Sequence, residues 1–375
     1  MAHAYTPGLR VTELAQVRKE RLLPLRGEVA VGAGDRVAAE QVVARTELPG
    51  NVHSVNVANI LSVLADEVPS RMIRNEGEPV ASGEPIARAA TMFGLFKSVA
   101  RSPIAGRVES VSSVTGQVLL REPPVPVEVN AYVDGEVVEV RPEEGVVVET
   151  HGTLVQGIFG IGGEACGLIE MVAAAPDEVL DPSCLEIAHE GKIVVGGSLV
   201  TAEALQRAVM LGVRGVVAGG IDDATIKDFL GYDLGVAITG NEDKAVTLVV
   251  TEGFGRIPMA QGTFELLQAR ARMKASMNGA TQIRAGVIRP EVVVPLPGRR
   301  AAGGPAAEVV AGGLVPGTRV RIIREPHFGR LGRVAELPSA LQRLPTEAAV
   351  RVLVVDLEGG SRHVLPRANV EIIES

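Results

Sequence analysis

Residues 157–167 read GIFGIGGEACG. Within them Gly160-Ile161-Gly162-Gly163-Glu164-Ala165 matches G-x-G-x-x-[G/A], the spacing that cradles the pyrophosphate of a dinucleotide. That chemistry needs a strand before the glycines and a helix directly after them, because the helix N-terminus supplies free N–H groups and a favourable dipole. VVVETHGTLVQ, ahead of the motif, is strand-like, but LIEMVAA (168–174), behind it, also reads as a strand, and Pro176 comes soon after. The motif is therefore expected to be a glycine-rich turn or barrel corner, packed where an N-terminal β barrel meets an α/β unit.

Two quieter glycine pairs are better placed. KIVVGG (192–197) and RGVVAGG (214–220) each end an apolar run in Gly-Gly and are followed by helix-like stretches, TAEALQRAVMLG (201–212) and DDATIKDFLG (222–231). Gly196, Gly197, Gly219 and Gly220 would then lie at the C-terminal ends of parallel strands, where open α/β sheets bind ligands and free N–H groups favour anions. Ser198, Thr201 and Asp222 complete this candidate ligand-binding set. Against it stands the simple need of tight β–α turns for glycine, and Thr201 and Asp222 also suit helix caps.

Other catalytic constellations are missing from the sequence. The six histidines (3, 53, 151, 189, 327 and 363) show no ligand-like spacing, so no metal site is expected. Cys166 and Cys184 cannot build a disulfide framework. No C-x-x-C, H-E-x-x-H, G-x-S-x-G or Walker A string occurs, so no catalytic residue and no cofactor is implied.

The elements that must position these residues can be read from composition and repeats. A chain of 375 residues is long for one core, so several domains are expected. Abundant Val and Gly, 3% aromatics and no Trp favour β-rich units. Net charge −8 argues against a polyanion-binding surface over the whole molecule. The N-terminus lacks a signal pattern and no apolar run approaches a membrane span, so the expected location is the cytoplasm.

Two self-similar pairs organise the first half. GDRVAAEQVVAR (34–45) aligns with GEPVASGEPIAR (77–88), and GRVESVSSVTG (106–116) with GEVVEVRPEEG (135–145). One strand–turn–strand unit used twice explains both. Between the first pair, NVANILSVLADEVPSRMI (56–73) has Ile60, Leu61, Leu64 and Val68 at helical spacing, Asn56 as a cap and Pro69 as a break or restart.

GEPVASGEPIA followed by SPIAGRVESV resembles the lipoyl/biotinyl-like barrel-sandwich hybrid. Carrier members of that family present a modified lysine on a hairpin tip. The lysine in the corresponding hairpin, Lys97, has Phe96 and Ser98 as neighbours rather than the family's Met-Lys-Met or Asp-Lys-Ala, so a surface lysine on a structural hairpin is the preferred reading. The strand–helix alternation of the middle resembles small DRTGG-type α/β domains in phrase order. In the tail, Gly317, Val320, Ile322, Pro326, Gly329, Gly332 and Val334 resemble the KOW pattern of SH3-like barrels, found in NusG-type factors and a ribosomal protein. Residues 315–375 hold 9 Arg against 7 Asp and Glu, net +2, which leaves −10 for the rest. That resemblance implies RNA or protein contact, for which Arg319, Arg321, Arg324, Arg330 and Arg333 are candidates, with His327 and Phe328 at the turn for stacking.

The expected architecture is multi-domain, β-rich plus α/β. It has an N-terminal extension (1–21), a barrel-sandwich-hybrid-like domain with a helical insertion (22–176), a small mostly parallel α/β domain (185–297), a linker (298–314) and a KOW SH3-like barrel (315–375). The expected function is a non-enzymatic scaffold or adaptor contacting protein or RNA. The alternatives are an enzyme or metabolite sensor binding an anion at the Gly-Gly turns, and a group carrier through Lys97.

Overall fold

The two sequence repeats fold into the same set of strands, residue for residue. This computed structural model describes residues 9–91, 96–230, 245–281, 288–301, 314–322, 327, 330–338, 341–343, 349–357 and 360–372. In one copy Val80 pairs with Gly106 and Pro79 with Arg107; in the other Val37 pairs with Gly135 and Arg36 with Glu136. The turns match too. Gly77 N–H donates to the Val108 carbonyl and Gly34 N–H to that of Val137, both at 2.7 Å. Val80 and Val37, and likewise Val108 and Val137, are buried at equivalent places in two separate cores.

The duplication is nested. Strands Pro85–Thr91 and Phe96–Arg101 form a hairpin in which Pro85 faces Arg101. Their counterparts are Val42–Leu48 and Val125–Asn130, in which Val42 faces Asn130. Residues 49–124, the whole second copy, therefore occupy the position of the hairpin connection of the first. Each copy is completed by an antiparallel strand, Val52–Asn56 against Gln117–Arg121 and the long Val11–Leu22 against Gly145–Gln156. Lys97 lies in the Phe96–Arg101 strand, with Ala90 opposite.

Asn56 caps the helix Val57–Leu61 by accepting the Asn59 N–H at 3.0 Å. The helix is shorter than its apolar spacing predicts. Ser62 turns left-handed and ends it, so Leu61 and Val68 are buried while Ile60 and Leu64 are 46% and 70% exposed. Pro69 falls in the first turn of a separate short helix, Val68–Arg71, where its missing N–H costs nothing.

From Gly145–Gln156 one 13-stranded sheet runs on through Glu291–Pro295, Lys274–Asn278 and Glu164–Met171 into the parallel strands Ile193–Val195, Gly215–Ile221 and Thr247–Phe254. Glu164–Met171 joins the two styles, antiparallel to Lys274–Asn278 and parallel to Ile193–Val195. Helices Ala202–Met210 and Asp223–Leu230 contribute Ala204, Leu205, Ala208 and Ile226 to the core on one face of the parallel part. Helix Gln261–Gln268 contributes Phe264 and Leu267 to the core on the other, which it shares with Val292 and Val294. Strands buried on both faces read as continuous apolar runs, as 193–195 and 248–250 do.

Of the expected turn at Gly160–Gly163, only Gly162-Gly163 form a bend, and Gly160 lies in a strand. Phe159–Ile161 is a strand on the edge beside Thr247–Phe254, and Glu164–Met171 comes next with no helix between. A Cβ on Gly160 would lie 2.6 Å from both the Gly279 oxygen and Pro290 Cβ, so backbone packing accounts for the glycine there. Nearby, the Tyr132 hydroxyl donates to Glu291 at 3.0 Å, Lys19 pairs with the same carboxylate, and Arg21 grips Glu164 at 2.6 and 2.7 Å. Burial and the Glu291 charge hold the Tyr132 phenol well above its ordinary pKa.

The C-terminal unit is a six-stranded antiparallel sheet with Val320, Ile322, Val334, Leu353, Val355 and Leu357 at its core. No helix among the described residues is long and apolar enough to cross a membrane.

Candidate functional site

The C-terminal ends of the parallel strands bring the glycine pairs together. The Gly219 N–H donates to the Gly197 carbonyl at 2.7 Å, and Gly196 N–H to Val217 at 2.9 Å. Ser198 is fully buried; its hydroxyl donates to the Asp177 carbonyl at 2.7 Å and its N–H to that of Glu178 at 2.6 Å. Thr201 caps Ala202–Met210, accepting the Ala204 N–H at 3.1 Å. Asp222 is exposed, stands directly before Asp223–Leu230 and accepts the Ile226 N–H on its carbonyl at 3.1 Å.

Two stretches of the chain itself fill this end of the sheet. Ile257 N–H donates to the Ser198 carbonyl at 3.0 Å, Met259 N–H to Pro176 at 3.0 Å and Gly255 N–H to Ile221 at 2.8 Å. These contacts explain the glycines. A Cβ on Gly220 would sit 1.9 Å from the Gly255 oxygen, and one on Gly219 2.3 Å from that of Ile257. Side chains are absent here because 255–259 and 175–178 need the room.

Among these backbone contacts sits a buried carboxylate. Glu252, near the end of Thr247–Phe254, has a side chain with no exposed surface. One carboxylate oxygen accepts the Ala260 N–H at 2.9 Å, at the start of helix Gln261–Gln268, where a negative charge also suits the helix dipole. The other accepts Arg321 Nη1 at 2.5 Å, although Arg321 belongs to the C-terminal unit. The Arg321 side chain is 4% exposed. Breaking a buried ion pair by removing one partner costs about 3–5 kcal/mol, so this contact helps to hold the C-terminal unit.

The remaining C-terminal candidates divide. Arg319 pairs across strands with Arg333, Arg333 with Asp356, and Asp356 with Arg362, which makes one row over four strands. Within it Arg362 holds Asp356 at 2.6 and 3.0 Å, and Arg333 donates to the Gly317 carbonyl at 3.2 Å. Arg330 is exposed beside the row. The His327 ring rests 4.1 Å from that of His363. Arg324 and Phe328 lie outside the described residues.

Two concave regions lie elsewhere. A groove of about 740 Å³ is lined by Gln16, Arg36, Glu149, His151, Arg299 and Arg300 among others. The His151 Nδ1 accepts the Ala301 N–H at 3.3 Å and its Nε2 stands 3.6 Å from Glu149. Burial opposes ionisation of Glu149, yet hydrogen bonds with Arg18 and Gln16 and the Arg18 charge hold its carboxyl below the usual value. A second hollow, of about 450 Å³, lies by Glu170, His189, Lys192 and Arg272. Lys192 pairs with Glu170 at 2.8 Å. No cluster of three or more His, Cys, Asp or Glu suited to a metal ion occurs among the described residues.

Sequence reasoning missed Glu252 and the groove. The one signal for Glu252 was an acid in the otherwise apolar and small VVTEGFG, since a charge at the end of a doubly covered strand must find a partner. The groove draws on residues from 16 to 301, a separation that leaves no local pattern. No protein-family model matches the chain, and no curated protein matches it.

Proposed function

We propose that the protein is a non-enzymatic scaffold or adaptor. The observation that carries this reading is the state of the parallel sheet's C-terminal end. Open α/β sheets ordinarily receive ligands there. In this chain the same end is filled by 175–178 and 255–259, and its buried carboxylate is engaged by Arg321. The fold applies this edge to holding its own parts together.

The finer fold reading fits that role. The nested repeats are read as two barrel-sandwich-hybrid-like units, the second carried on the hairpin of the first. The C-terminal unit is read as a KOW-type SH3-like module. Its row of Arg319, Arg333 and Arg362, with Arg330 beside it, is the surface proposed to meet a protein or RNA partner. Arg321 stands apart from that surface, turned onto Glu252.

Co-purification from the native host, read by mass spectrometry and RNA sequencing, tests the proposal. The expected result is a stable partner lost from Arg330→Glu/Arg333→Glu. A partner-free protein whose melting temperature rises with one nucleotide or phosphometabolite, and no longer does so in Gly197→Val, would replace the adaptor reading by the sensor reading. Intact-mass measurement decides the carrier alternative, since an unmodified mass removes Lys97 from consideration.

A further inference from the structure

We infer that the hollow at the start of strand Ile193–Val195, lined by Glu170, His189, Lys192 and Arg272, binds a phosphate group carried on a small molecule with an apolar body. Lys192 directly precedes that strand and Gly196-Gly197 directly follow it, so the site is separate from the glycine pairs. It is also independent of the scaffold reading. Its volume, about 450 Å³, suits a small molecule.

Donors exceed acceptors in this hollow. Lys192 donates to Glu170 at 2.8 Å, so the charge of the acid is matched within the wall. His189 Nδ1 accepts the Glu186 N–H at 3.0 Å, which places the proton of the neutral ring on Nε2, as a donor for the hollow that the ring lines. Among the described residues no hydrogen bond or ion pair engages the Arg272 guanidinium. The three cationic side chains act on one place. The Lys192 hydrogen bond first, and then the charges of Lys192, His189 and Arg272, hold the Glu170 carboxyl below its usual value against the effect of burial.

The backbone at Arg272 adds a second observation. Its φ is 65°, in the turn that leads into Lys274–Asn278, where its N–H donates to the Ile169 carbonyl at 2.8 Å. Glycine adopts that conformation freely and arginine does not, so the turn alone gives no reason for a guanidinium there. A phosphate offers three oxygens to the three donors, and the guanidinium fork fits two of them at once. Leu168, 47% exposed, and Ala188 form the apolar flank for the rest of the ligand.

Titration of the full chain with phenyl phosphate, followed through the His189 imidazole resonances, tests this. A saturable shift at millimolar concentration or below is expected, with weaker binding of benzoate and of inorganic phosphate. Arg272→Gly suits the φ of 65°, so it removes the guanidinium and keeps the turn. It should weaken binding at least about tenfold. Glu170→Gln removes the opposing acid and releases Lys192, so it should bind phenyl phosphate more tightly than wild type. No saturable shift, equal affinity in Arg272→Gly, weaker binding in Glu170→Gln, or benzoate binding as tightly as phenyl phosphate overturns the inference.

Discussion

Gly220→Ala separates close packing from ligand binding at the sheet end. The added Cβ would lie 1.9 Å from the Gly255 carbonyl oxygen, against 3.4 Å or more in ordinary contact. The 255–259 segment must then move by about 1.5 Å, the difference between those two distances. That displacement strains the Gly255 N–H bond to Ile221, now 2.8 Å. Overpacking costs about 1–3 kcal/mol and a lost backbone hydrogen bond about 1 kcal/mol, so a loss of about 3 kcal/mol is expected. Gly262→Ala is the control. Gly262 sits in helix Gln261–Gln268 with nothing within 4 Å of its added Cβ, and should gain up to about 1 kcal/mol. Urea unfolding of the full chain measures both. Gly220→Ala within about 0.5 kcal/mol of wild type would refute the packing argument, because a ligand-binding glycine can be substituted at little cost to the free protein.

Further outcomes are expected from the charges and caps. Glu149 has a lowered pKa in the folded chain, so its contribution is present above the ordinary carboxylate value and lost as pH falls through the folded one. Glu149→Gln should therefore flatten the acid limb of stability against pH, by no more than about 1 kcal/mol for a pair that is half solvated on the Arg18 side. Burial, and next the Glu40 charge, push the Cys166 thiol up to about 11. At pH 8 it should react with a thiol reagent about 100-fold more slowly than a free cysteine, with the rate still climbing at pH 10. Thr201→Ala should destabilise by about 1 kcal/mol, read in the same urea titration, without altering any partner binding.

Much of the local structure was legible in the sequence, because local causes set it. Thr201 and Asn56 announce their caps, Pro69 the restart of a helix, and the apolar runs at 193–195 and 215–221 their doubly covered strands. The paired repeats were visible, yet their nesting was not. Pairing of Val42 with Asn130 spans the whole second copy, and nothing local marks strands that meet across such an insertion. The helical spacing at Ile60 and Leu64 misled for a different reason. Ser62 takes a left-handed conformation that ends the helix after five residues, and Leu64 falls in the gap before the next short helix, Val68–Arg71. Of the glycine pairs, Gly196-Gly197 follows its strand as read, whereas Gly219-Gly220 lies inside the strand Gly215–Ile221. What presses against them was not legible, since 255–259 and Arg321 arrive from far along the chain.

The central claim is that the chain closes its own sheet end. A double-mutant cycle of Glu252→Gln and Arg321→Met measures that closure directly in the unfolding free energy of the full chain. Self-closure predicts single losses of about 3 kcal/mol or more and a double mutant that regains much of the loss, a coupling of at least about 2 kcal/mol. Additive effects, with coupling under about 0.5 kcal/mol, would contradict it.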